Sequence, residues 1–124
     1  MAAFLSPLDA RAEGDDHWRL LAPLRYQSEV AGVGVVEVPT GFLTDLASIP
    51  RLPFVYWLLG DRAHEPGVIH DWLYVSGLTS QADADAVFYE ASRVVGVSLG
   101  AAWAMWLGLR VGGWVTYQHY RGTP

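Results

Sequence analysis

Asp45, His70, Asp71 and Asp85 are the side chains of this chain whose types could do chemistry together. An imidazole with three carboxylates is a ligand set for zinc or a hard divalent cation. A histidine held by a carboxylate can also take a proton from water, which is how hydrolysis begins. Tyr74 follows His70 by four residues, so on a helix the two share a face, with Asp71 about 100° round. The candidate catalytic residues are therefore His70, Asp71 and Tyr74, and the candidate metal ligands are Asp45, His70, Asp71 and Asp85. Thr44, Ser48, Arg51 and Arg110 are candidate supports. The same residues also admit a purely structural reading. Asp45 can cap the turn at Leu46-Ala47-Ser48, His70 can satisfy a buried carbonyl, and Asp71 can pair with Arg51 or Arg110. Such a network would pin a loop to the helices without catalysis. His17, His64 and His119 are isolated and read as solvated.

These residues need elements to place them. The segment Val68-Ile69-His70-Asp71-Trp72-Leu73-Tyr74 reads as a short helix that opens at Glu65-Pro66 and closes at Gly77. Ser80 can cap a second helix, with Asp83 in capping-box position, running to about Val95 and stopping at Gly96. Ala84, Val87, Phe88, Ala91, Val94 and Val95 give it an apolar face. Asp83 and Asp85 lie about 200° apart on that helix, so only one faces inward, and periodicity alone does not say which. Ser98 can cap a third helix, apolar nearly all round and expected to be buried, kinked or ended at Gly112-Gly113. Upstream, Trp18 to Tyr26 reads as strand interrupted at Pro23, and Val35 to Val38 as a strand ended by Pro39. Between Pro39 and Arg51 lies an ordered loop, while residues 1–17 read as an acidic, irregular arm.

Composition bounds the rest. A chain of 124 residues with 52% hydrophobic residues forms one domain with a core of its own. Its net charge of −5, with no lysine, lacks the clustered positive face that nucleic acid demands. No cysteine is present, which excludes disulfides and thiolate metal sites. No signal peptide is apparent near the N-terminus, where Asp9, Glu13, Asp15 and Asp16 interrupt any apolar run. From Val94 to Leu109 the chain carries no charge, but a membrane span needs about 20 residues. Extending the run through Arg110 would bury a charge at a cost of roughly 2.5–3.5 kcal/mol. A core helix explains it better, and no membrane span is expected.

Two resemblances follow from the motifs. The pattern Gly41-Phe42-x-Thr44-Asp45-x-x-Ser48-Ile49-Pro50-Arg51, followed by His70-Asp71-x-Leu73-Tyr74, is similar to the domain of unknown function 1353. That family occurs mostly in tailed bacteriophages and prophages. The likeness continues through Asp85-x-x-Phe88 and Arg110-x-x-Gly113, covers roughly residues 18–117, and favours Asp85 over Asp83 as the inward carboxylate. The chain departs from the family in its Trp- and Gly-rich third helix. Separately, His70-Asp71-x-x-Tyr74 resembles the active helix of secreted phospholipases A2, in which the histidine deprotonates water and the adjacent aspartate holds calcium. The cysteines and the glycine-rich calcium loop of those enzymes are absent from this chain.

The expected fold is α+β, a small N-terminal antiparallel sheet packed against about three C-terminal helices, with residues 1–17 as arm and 18–124 as one globular domain. The expected function is that of a bacteriophage virion-associated protein, of the tail, binding neighbouring virion subunits. It would reside in the virion, or in the host cytoplasm before assembly. The alternative is a metal-assisted hydrolase acting on cell-envelope material, with a divalent metal ion as its cofactor.

Overall fold

The computed structural model describes residues 1–13, 17–44, 64–107 and 110. Among these residues two three-stranded antiparallel sheets come first and three helices follow, an α+β arrangement. Six strands appear in chain order: β1 (Ala3–Phe4), β2 (Ala10–Glu13), β3 (His17–Leu20), β4 (Leu24–Gln27), β5 (Val35–Val38) and β6 (Leu43–Thr44). One sheet has the order β1-β4-β5 and the other β2-β3-β6. The helices are α1 (His64–Ser76), α2 (Gln81–Val94) and α3 (residues 99–107).

Alternation sets the first sheet. In β4 and β5 every second side chain is buried, and the register opposes Leu24 to Val38 and Tyr26 to Val36, so all four enter the core from one face. The β4–β5 connection turns through Gly32 and Gly34, whose φ of 82° and 68° suit residues without a Cβ.

The first residues are not an irregular arm. Phe4 pairs with Tyr26 in register and packs ring against ring at 4.6 Å, while Ala10 to Glu13 pair with Leu20 back to His17. Arg19 reinforces this second sheet, donating to Glu13 at 2.6 Å and to the Gly41 carbonyl at 2.9 Å. The acidic composition of this segment hid a pairing supplied by strands further along the chain.

The helix signals act where the sequence places them. Gly77, at φ 69°, ends α1, and its N–H bonds the Leu73 carbonyl. Ser80 caps α2 by accepting from the Asp83 N–H at 3.1 Å. At the other end Gly96 N–H bonds Arg93 O and Val97 N–H bonds Ser92 O, the paired bonds of a Schellman stop around a glycine at φ 96°. Ser98 caps α3 through the Ala101 N–H.

Helix α1 packs along α2 and rests on β5 and β6. Val68, Ile69, Leu73, Ala84, Val87 and Ala91 join the inward residues of the sheets in one core. A second cluster, Phe88 with Val97, Ala101, Ala102 and Met105, holds α3 against α2. Contrary to the expectation of a fully buried third helix, α3 turns its small residues inward and leaves Leu99, Trp103 and Leu107 at 60%, 55% and 42% exposure. Its apolar character all round is real, but among the described residues only one side has a partner element to bury it. Among the described residues no helix is long and apolar enough to cross a membrane.

Candidate functional site

The site lies between α1 and α2, which run side by side from the turn at Gly77 to Ser80. On α1 the four-residue spacing stacks His70 and Tyr74, with ring centroids 4.1 Å apart. On α2 the residue facing them is Asp85, fully buried at 0% exposure. Its Oδ1 lies 2.9 Å from His70 Nε2 and accepts the Tyr74 hydroxyl at 2.7 Å. Its Oδ2 faces the Arg110 guanidinium at 3.4 Å, and that side chain is 37% exposed. Phe88, one turn beyond Asp85, closes the apolar side by meeting the His70 ring edge to face at 5.3 Å.

The electrostatics follow from this burial. Burial, then the hydrogen bond to Asp85 and its negative charge, hold the Tyr74 phenol well above the ordinary tyrosine range. Tyr74 is therefore a donor to the carboxylate at any ordinary pH. A carboxylate only accepts, so a neutral His70 bonded to Oδ1 carries its proton on Nε2. Its Nδ1 is then the basic atom. Asp85 thus does two things: it neutralises the inward end of Arg110, and it fixes which nitrogen of His70 can receive a proton.

Asp71 takes a different direction, accepting the hydroxyl of the buried Thr44 on β6 at 3.0 Å. That bond ties α1 to the second sheet, beside the edge-on contact of Phe42 with Trp72 at 5.2 Å. The structure therefore gathers His70, Tyr74, Asp85 and Arg110 at one point, and Asp71 with Thr44 at another. Asp45, Ser48 and Arg51 lie outside the described residues. Among the described residues no three His, Asp or Glu side chains stand together as a metal site. Of the two inward candidates on α2, Asp85 is the buried one, while Asp83 spends its backbone N–H on the Ser80 cap.

A third polar cluster went unread in the sequence. Glu90 accepts from Tyr26 Oη and Ser28 Oγ, both at 2.8 Å, and from the Glu29 N–H at 3.0 Å. Burial, with help from Glu90, also holds the Tyr26 phenol above its usual range. This carboxylate clasps α2 to the end of β4. The available signal was Tyr26 itself, an inward strand position whose hydroxyl required a partner.

Comparison with known proteins adds one finding. Searches of curated proteins and of solved structures return no match. The profile of a protein family of unknown function, DUF1353, matches residues 18–109, a span that includes β4, β5, His70, Asp71, Tyr74 and Asp85. By that match over most of its length, the chain belongs to the DUF1353 family.

Proposed function

We propose that the chain is a small hydrolase in which His70 activates water, and that its target is cell-envelope material met during bacteriophage infection. The observation that carries the reading is the contact of His70 Nε2 with the fully buried Asp85 at 2.9 Å. It supports a ring locked in one tautomer, with Nδ1 left as a general base. Asp85 is the positioning residue. Tyr74 occupies the same carboxylate oxygen and holds it in place. When water loses a proton to Nδ1, the charge that appears on the ring lies against Asp85, in surroundings that favour it. Arg110 offsets the carboxylate in the resting state. The phage setting rests on the resemblance of the Gly41–Arg51 and His70–Tyr74 motifs to a family of tailed phages, and the envelope target is inferred from that setting alone.

The test is hydrolysis of purified envelope fragments by wild type and by His70→Ala. A positioned general base contributes about 10²–10⁴-fold, so the variant should fall by that factor while keeping its fold. Equal rates for the two proteins would remove the proposal.

A second reading is supported by the apolar side of α3. In it the protein is a virion-associated component of the tail that binds neighbouring subunits, and the polar network only holds the helices together. Exposed Leu99, Trp103 and Leu107 are the observation in its favour, since contiguous apolar patches usually mark interaction sites. Mass spectrometry of purified particles separates the two: a chain absent from the virion is not a structural part of it.

A further inference from the structure

Gln81 opens α2 one turn before Asp85, so the two side chains rise from the same face of that helix. Its amide nitrogen Nε2 is closed off from solvent, yet it bonds no group among the described residues at ordinary hydrogen-bond geometry. A buried N–H without an acceptor is unfavourable, so what lies around it decides where it belongs. The Tyr74 hydroxyl lies there. Burial and the Asp85 carboxylate raise that phenol, whereas Gln81 and the charge of Arg110 draw it down. The two ends of an amide act on a phenol with opposite sign. A carbonyl oxygen favours the protonated form, and an N–H favours the phenolate. The end of Gln81 that faces Tyr74 is therefore the unpartnered Nε2.

We propose that Gln81 is a further positioning residue of the His70 site, its Nε2–H donating to Tyr74 Oη and so turning the Tyr74 proton toward Asp85. A tyrosine hydroxyl rotates, and its oxygen can accept one bond while its proton makes another. An N–H standing against that oxygen repels the proton from the Gln81 side. The orientation left is the one observed, in which Tyr74 donates to Asp85 Oδ1 at 2.7 Å. The chain from Gln81 through Tyr74 to Asp85 then meets His70 Nε2 at the same oxygen, 2.9 Å away. Each bond in such a chain polarises the next, so Gln81 strengthens the bond that pins the carboxylate. Asp85 Oδ2 contributes little to that, since its contact with Arg110 is 3.4 Å long. The catalytic consequence rests on the hydrolytic reading, but the placement of the Tyr74 proton does not.

The experiment is proton NMR of the full chain. The buried Tyr74 hydroxyl resonance is assigned by its loss in Tyr74→Phe. Gln81→Met keeps the length and helix propensity of the side chain and removes the donor. In that variant the resonance should move upfield, and the His70 Nε2 proton that shares Oδ1 should move with it. A residue that only helps α2 to fold would lower stability and leave both resonances in place, which overturns the proposal. Wild type gives an independent check: the Gln81 Nε2 protons should show nuclear Overhauser contacts to the Tyr74 hydroxyl, and their absence also overturns it. Hydrolysis of envelope fragments by folded Gln81→Met should fall, but by less than the roughly 10²–10⁴-fold expected when the base itself is removed. A rate equal to wild type would overturn the catalytic part. If wild type hydrolyses nothing, the hydrolytic reading falls, while the two resonances still decide where the Tyr74 proton is held.

Discussion

Replacing Asp85 with asparagine keeps the shape of the side chain and removes its charge, so it isolates what the carboxylate contributes. Two bonds end on Oδ1, from Tyr74 at 2.7 Å and His70 at 2.9 Å, in a position with no solvent exposure. Hydrogen bonds to a charged partner contribute about 1.5–3 kcal/mol each, against about 0.5–1.5 kcal/mol for neutral ones. An amide oxygen can still accept both, so roughly 1–1.5 kcal/mol is lost per bond. The Arg110 contact is 3.4 Å long with a 37% exposed partner, and contributes about 0–1 kcal/mol after solvent screening. In the variant an amide N–H would face that guanidinium, donor against donor. The expected destabilisation is therefore about 2–4 kcal/mol, or a melting temperature lower by roughly 6–16 °C for a domain of this size. Urea denaturation monitored by circular dichroism measures it. Crossing Asp85→Asn with Tyr74→Phe should show the two effects to be coupled, because one weakens and the other removes the same bond. A loss below about 0.5 kcal/mol, the size of an ordinary surface substitution, would refute the reasoning that Asp85 is the hub of this region.

Other expectations are read the same way. Ser92 is fully buried with a hydroxyl that bonds no group among the described residues, so Ser92→Ala should leave stability unchanged or raise it by about 1 kcal/mol; a loss of that size would overturn this. Gly96→Ala places a Cβ in the left-handed region at φ 96° and should cost about 1–2 kcal/mol in thermal melts, through strain rather than collision, since no atom lies within 4 Å of that Cβ. Tyr26 and Tyr74 are both held above the ordinary tyrosine value of 10.0, so the folded chain binds these protons more tightly than the unfolded one. Their contribution is complete below pH 10 and is lost as pH rises beyond it; Tyr74→Phe should flatten that alkaline decline in a pH-dependent stability curve.

How far the sequence exposed this structure depends on the range of the contacts. Helix ends are set by nearby residues, and Gly77, Ser80, Gly96 and Ser98 could each be identified from their own neighbourhood. The His70–Tyr74 stack is equally local. Asp85 was not, because Asp83 and Asp85 look alike on a helical wheel and the choice depends on what α1 presents across the gap. The strands within residues 1–13 escaped for a similar reason. Ala10-Arg11-Ala12-Glu13 has little apolar alternation of its own, and its pairing is dictated by His17–Leu20. The outer side of α3 was misread because an apolar helix was taken to imply cover on every side. Burial needs a second surface, and the described fold supplies one only at Phe88 and its neighbours. The link from Glu90 to Tyr26 spans 64 residues, and the Tyr26 position signals only that its hydroxyl needs a partner, not which one.

The most direct measurement is the nitrogen-15 chemical shift pair of the His70 ring, read by NMR at neutral pH in the folded protein. The proposed general base requires a neutral ring with its proton on Nε2, toward Asp85 Oδ1, and a bare, basic Nδ1. The expected result is a protonated-type shift at Nε2 and an unprotonated-type shift at Nδ1. A ring protonated on Nδ1 instead, or a wild-type ring already averaging between tautomers, would contradict the account.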